Sequence, residues 1–261
     1  MATPKEKGNV VTAIVFDFET GGLDATKCGA TQISMHAVRL DTFEVMDTLN
    51  LYILPYHHKE GLDKPVRKVV KSKYDMQEES SPLMEYGQKA LDVSGITMEL
   101  LNAKGKELQE VCERIIDFIT QNTLSVTSAN KPILVGQNVL FDISFLQQIM
   151  LYTGLYDKFS KVVDGKKDFW GHFQPYYLDT IVLAKLALDH DPSITSWKLE
   201  LTAERLGIEM DDAHDADADV VATRDIVRKL TARMRNSDGG SNAVGALTAE
   251  HKDKLRNHFK I

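Results

Sequence analysis

With 261 residues, 43% of them hydrophobic, the chain is long enough to bury a large core, and no apolar run approaches the roughly 18 residues of a membrane span. Its formal charge of −7 excludes a protein that coats nucleic acid by charge alone, but not one that takes a strand end through metal ions. The opening MATPKEKGNV has no apolar signal-peptide core, and Cys28 and Cys112 show no CxxC or Cys/His spacing; the expectation is a cytoplasmic protein with no membrane partner, structural zinc or redox motif.

After a polar arm of residues 1–10, VTAIVFDF (11–18) predicts a central strand, because β-branched residues occupy both parities as burial on both faces requires. GGLD makes a turn, and TQISMHAVRL and the run from Phe43 to Leu54 predict the second and third strands of a meander. The pattern then breaks from Pro55 to Gln88 into basic, acidic and Ser-Pro pieces. A stretch this long predicts an insertion, about 56–88, with a hairpin of its own. Within it KPVRKVVKSKY (64–74) is basic, and a solvated loop accounts for it more simply than a phosphate-binding arm. His57 and His58 lack metal-ligand spacing and are expected to face solvent.

KELQEVCERIIDFITQN carries apolar residues at Leu108, Val111, Cys112, Ile115, Ile116 and Ile119, the stripe of a helix lying on a sheet. KPILVGQNV (131–139) predicts a short buried strand, and the chain turns helical from Phe141 to Tyr152. A looser connection (156–175) precedes helical patterns at 178–188, 198–206 and 216–235. Phe169, Trp170, Phe173, Tyr176 and Tyr177 in and after that connection either stack on single-stranded bases or form the loop's own core. The order of strand meander, helix, strand and helices predicts the α/β class, with a mixed sheet covered on both faces in one domain spanning 11–235. Beyond it, 236–261 opens with a Gly/Ser/Asn linker and ends in a segment compatible with a short helix. It is expected to dock, fray or tether the chain to a partner.

Three stretches carry chemistry. Residues i and i+2 of a strand share a face, so Asp17 and Glu19 project together from the carboxyl end of the first strand; alone, such a pair reads equally well as solvated charge. LVGQNVLFDISFL places Asp142 at a helix start, where an aspartate serves as a cap and, compatibly, as a ligand. DDAHDADADVVATRDIV sets His214 five residues before Asp219, at the start of an amphipathic helix. The DADAD run is not a calcium loop, because Val220 stands at the sharp-turn glycine position and Ile226 at that of the bidentate glutamate.

In this order, DFETGGL, NVLFD and HDADAD resemble the three motifs of the DEDDh branch of the DnaQ-like 3′→5′ exonucleases, a branch that includes the epsilon proofreading subunit of bacterial DNA polymerase III. SGIT (94–97), YYLDT (176–180) and LTAERLGI (201–208) extend the resemblance over roughly 11–235. It implies an RNase H-like fold with a mixed sheet of about five strands and helices on both sides. Asp17 matches an acid bridging two divalent ions, Glu19 and Asp219 match ligands of the first ion, Asp142 holds the other ion largely through water, and His214 matches the general base. Four carboxylates gathered in one place would repel and protonate without cations, which supports metal independently. Hard oxygen donors and a phosphate-bearing substrate favour Mg²⁺ or Mn²⁺ over zinc.

The resemblance further implies hydrolysis of the last phosphodiester, with His214 taking a proton from the attacking water and nucleoside 5′-monophosphates as products. Phe18, Thr20, Gly21, Leu23, Asn138 and Phe141 would surround the terminal nucleotide, Leu23 as a wedge and Phe141 as a support or a core aromatic. Many relatives carry TTG where this chain has TGG. Asp179, in the LDT segment at a helix start, is expected to be structural or to support the metal ligands from behind rather than to be a ligand itself. Expected partners are single-stranded DNA or a DNA 3′ end, with RNA trimming as the alternative, and a DNA polymerase held through the tail. A binding module with a dead site is disfavoured because all five active-site residues are present.

Overall fold

The computed structural model of the chain describes residues 10–59, 82–124, 130–188, 191–210 and 215–236. Its centre is a five-stranded sheet in the order β3-β2-β1-β4-β7. β1 (Thr12–Thr20) lies in the middle, antiparallel to β2 (Ala30–Arg39), which is antiparallel to β3 (Val45–Tyr52). On its other side β1 runs parallel to β4 (Ile133–Gly136), and β4 runs parallel to β7 (Tyr177–Asp179). The sheet is therefore mixed, as expected from the meander followed by a crossover.

Both faces of β1 are covered, which is what its apolar residues on both parities require. Ile14, Phe16, Phe18 and Leu134 pack under α3 (Leu108–Gln121), α4 (Leu140–Tyr152) and α5 (Tyr156–Val162). Ala13, Val15 and Val135 pack under α6 (Thr180–Leu188), α7 (Leu199–Arg205) and α8 (Ala216–Asn236). Phe16 and Phe145 are fully buried, and burial of such side chains contributes about 1.5–3 kcal/mol each. α3 buries Val111, Cys112, Ile115 and Ile119 of the predicted stripe and adds Phe118, while Leu108 and Ile116 are half-buried at its margin.

Several boundaries differ from expectation for local reasons. The third strand begins at Val45, because Phe43 adopts a left-handed φ of 60° in the preceding turn. The 131–139 strand is confined to four residues, since Asn138 sits at φ 52° and ends it. The helix expected from 178 begins at Thr180, and Leu178 and Asp179 belong to β7. Three short helices were not anticipated: α1 (Gln88–Ser94), closed by left-handed Gly95; α2 (Met98–Lys104), whose N-cap Thr97 accepts from the Leu100 amide; and α5, which occupies the start of the 156–175 connection. The connection after α5 folds as a two-stranded hairpin, β5 (Gly165–Lys167) with β6 (Phe173–Pro175).

The two ends of the expected insertion pair with each other. His57 bridges Leu83 in antiparallel fashion, the His58 amide donates to Pro82 and the Met84 amide to Tyr56. His58 is half-buried against the Tyr152 ring rather than free in solvent, while His57 is exposed. The basic stretch 64–74, the arm before residue 10 and the tail beyond 236 lie outside the described residues. Among the described residues, no helix is long and apolar enough to cross a membrane.

A candidate metal centre at the carboxyl edge of the sheet

Asp17 and Glu19 leave β1 on the face covered by α8, and Asp219 descends from the first turn of α8 to meet them. One carboxylate oxygen from each lies within 4.8 Å of the others. All three residues are half-buried. Asp142 approaches from the opposite side. It sits in the first turn of α4, is 2% exposed, and its Oδ1 accepts the Phe18 amide at 3.0 Å. That bond ties α4 to β1 between the two acids.

Electrostatics at this edge are unfavourable without a counter-charge. Burial, then Asp142, Asp219 and Glu19, push the Asp17 carboxyl well above the usual range. Burial, then Asp219, Asp215 and Asp142, raise Glu19 to about 8. Asp142 is likewise raised to about 8, mainly by burial, although the Phe18 amide acts in the other direction. Among the described residues, no lysine or arginine forms an ion pair with Asp17 or Glu19. Three convergent hard-oxygen donors with a burial penalty that a cation would relieve fit a divalent metal ion.

The DADAD run gives its three acids three different tasks. Asp215 closes the start of α8, its carboxylate accepting the Asp217 amide at 2.8 Å. Asp217 reaches across to β2, where its Oδ1 accepts the Ser34 hydroxyl at 2.8 Å and lies 3.2 Å from His36 Nε2. Burial holds the His36 imidazole below its usual pKa; because a carboxylate only accepts, Nε2 is the donor in the Asp217 contact, and among the described residues buried Nδ1 has no hydrogen-bond partner. Asp219, one half-turn later, is left to face Asp17 and Glu19. The Ser34–His36–Asp217 contact thus sets the rotation and height of α8 over β1. Sequence reasoning missed it, although alternation along the second strand would have placed Ser34 and His36 on one face.

The remaining expected residues are placed as follows. Leu23 is 89% exposed beyond the turn after β1, and Asn138 is exposed on the β4–α4 turn, its amide donating to Asp179 at 3.3 Å. Thr20 is buried and donates to the Gly22 carbonyl. The Phe18 side chain is in the core, 4% exposed, so only its backbone faces the acids. Gly21 is needed for packing: a Cβ there would stand 2.5 Å from the Glu85 carbonyl oxygen. Its amide donates to Gly29 and its carbonyl accepts from Gly87, so both backbone groups are already taken. Phe141 is half-buried against Phe145, the core-aromatic alternative. Asp179 accepts the Ile181 amide at the start of α6 and the Asn138 amide of the neighbouring turn, the helix-start position expected of it. His214 lies outside the described residues.

No family model and no curated protein matches the sequence. The fold does match solved structures of exonuclease I. The E. coli enzyme in complex with a dT13 oligonucleotide superposes with a TM-score of 0.57 at 20% identity, covering 87% of this chain and 42% of that one. The zinc-bound form of the E. coli ExoI–ssDNA complex gives 0.58 at 20% identity, with 87% and 41% covered. An ExoI/SSB-Ct complex gives 0.56 at 20% identity, with 87% and 42% covered. The chain thus spans less than half the length of these neighbours and shares their RNase H-like α/β fold.

Proposed function

We propose that the protein is a metal-dependent 3′→5′ exonuclease acting on single-stranded DNA. The observation that carries this reading is the convergence of Asp17, Glu19 and Asp219 within 4.8 Å at the carboxyl edge of the sheet, with Asp142 buried beside them. The match to exonuclease I structures, among them oligonucleotide complexes, supports the same reading and favours it over the RNA-trimming alternative.

Asp17, Glu19 and Asp219 would hold one divalent ion, and Asp142 with Asp17 would hold a second. Bound there, such ions supply Lewis-acid activation of water and charge neutralisation at the scissile phosphate. The chain's own residues do the rest. Asp142 anchors α4 to β1 through the Phe18 amide, between the two acids. Asp217, through Ser34 and His36, sets the height of Asp219. Exposed Leu23 and Asn138 flank the acids where the terminal nucleotide would lie. His214, five residues before Asp219 in sequence, is assigned the role of general base by motif alone. A proofreading role and a polymerase tether through 236–261 rest on the sequence resemblance and find no support in the neighbours matched.

The test is release of nucleoside 5′-monophosphate from 3′-labelled single-stranded DNA and matched RNA in Mg²⁺, Mn²⁺ or EDTA, with wild type beside Asp17→Ala. The expected result is metal-dependent release from DNA, weaker from RNA and lost in the variant. Release that persists in EDTA, or in Asp17→Ala, would contradict the assignment.

A further inference from the structure

The β5–β6 hairpin presents two large aromatic side chains to solvent. Phe169 is 91% exposed and Trp170 79%, with ring centroids 5.1 Å apart in an edge-to-face pair. Isolated exposed apolar residues are ordinary, but a paired Phe and Trp on a braced tip is a contact surface. The brace is explicit. Asp168 accepts the Trp170 and His172 amides, each at 2.9 Å, and Gly171 takes a φ of 88° that closes the turn. At the hairpin's root Phe173 is buried against Phe159, and the Tyr156 hydroxyl donates to the Phe173 carbonyl. The tip rings are thus held out by a braced backbone, and little backbone freedom is left to lose on binding.

Below the tip, a groove of about 300 Å³ runs between the hairpin and α4, with Leu140, Lys166, Tyr176 and Tyr177 in its walls. Leu140 and both tyrosines are themselves partly exposed. The groove is walled in part by α4 and by residues at β7, the elements that also carry Asp142 and Asp179. Leu140 opens the same first turn of α4 that holds Asp142, and Tyr177 opens the strand that ends at Asp179. Local charge also differs from the whole: residues 156–177 carry Lys158, Lys161, Lys166 and Lys167 against three aspartates, in a chain of net −7. Two of those aspartates, Asp164 and Asp168, are engaged by backbone amides of their own turns.

We infer that this hairpin and groove form a stacking track for a single-stranded nucleic acid, holding nucleotides upstream of the terminal one. The inference rests on the nuclease reading above, since a strand cleaved at its last phosphodiester must leave the acids across the surface. Aromatic faces accept any base, and each stack is worth about 1–3 kcal/mol. Exposed lysines beside them meet the phosphates. The occupant is therefore single-stranded nucleic acid of any sequence, and length dependence is the property the track confers.

The experiment compares wild type with Phe169→Ala/Trp170→Ala. Binding of a 5′-labelled strand of about 20 nucleotides is read by anisotropy in EDTA, and steady-state release in Mn²⁺ is measured on that strand and on a dinucleotide. Both substituted side chains are exposed, and thermal unfolding checks that the variant folds. The expected result is at least about a tenfold rise in Kd and KM for the long strand, with dinucleotide kinetics unchanged. Unchanged binding and KM for the long strand, in an enzyme that cleaves it, would overturn the track alone and leave the surface to a protein partner. Equal losses on the dinucleotide would also overturn it, as damage to the site. A wild type that neither binds nor cleaves any strand would overturn the nuclease reading and the track together.

Discussion

Under α3, α4 and α5, the strands β1 and β2 present Ile14, Phe16, Phe18, Ile33, Met35 and Ala37, all apolar. Turned over, the same two strands present Asp17, Glu19, Gln32, Ser34 and His36 to the side covered by α8. Antiparallel register makes this possible, because Asp17 faces Ser34 and Glu19 faces Gln32 across the pair. A half-buried polar face is costly unless each group finds a partner. Gln32 donates to Asn50, while Ser34 and His36 meet Asp217. Asp17 and Glu19 converge with the Asp219 carboxylate. Among the described residues, like charges converge on this face at Asp17, Glu19 and Asp219, a convergence that a cation would relieve.

The sharpest way to break this contrast is to remove one acid. Asp17→Asn is expected to lower metal-dependent hydrolysis by at least about 10³-fold while raising the melting temperature in EDTA, since repulsion is relieved. Kinetics beside thermal melts check both signs; a variant that loses activity and stability alike would mean that Asp17 serves the fold. On the other face, Phe145→Ala is expected to cost about 3–5 kcal/mol of stability through the cavity left in the core. Urea unfolding measures it, and Mg²⁺ should not offset the loss selectively.

Smaller in size is the pH response of the metal-free protein. Asp17, Glu19 and Asp142 have folded-state pKa values raised above their unfolded ones, with Glu19 and Asp142 at about 8. Their contribution to stability is therefore fully present below the ordinary carboxylate range of about 4 and is lost as pH rises through about 8. The melting temperature in EDTA should fall between pH 5 and 8, and Mn²⁺ should reverse the fall at the upper end. A flat or rising profile in EDTA would count against the crowded acids. Least of all, Asp217→Ala leaves the three converging acids in place but frees α8 from β2. The expectation is a several-fold weaker apparent metal affinity with kcat largely restored at saturating Mn²⁺, and partial rescue in Asp217→Asn. A kcat that stays low at saturation would instead make Asp217 part of the chemistry.

Much of the apolar face was legible from the sequence because its signal is local. Two-sided burial of 11–18 and the 3.6-residue stripe of α3 need no knowledge of the rest of the chain. Asp17 and Glu19 were legible for the same reason, since alternation along one strand puts them together. The Asp217 contact was not, because it depends on the register of β2 against β1 and on where α8 lands. β7 was missed because its three residues gain strand character only from pairing with β4. Gly21 looked like a nucleotide-facing turn, yet its reason is the approach of Glu85 and Tyr86, more than sixty residues away in sequence. The aromatics after α5 were readable as residues but not as a surface: Phe173 turned inward as the hairpin's root, whereas Phe169 and Trp170 turned out.

The central claim is that the acids at the carboxyl edge bind divalent ions, and Mn²⁺ binding followed by electron paramagnetic resonance tests it most directly. Wild type should take up Mn²⁺ with displacement by Mg²⁺, and Asp17→Asn should lose that uptake while remaining folded. Equal Mn²⁺ binding by the two proteins would contradict the account, because the ion would then be held somewhere other than between Asp17, Glu19 and Asp219.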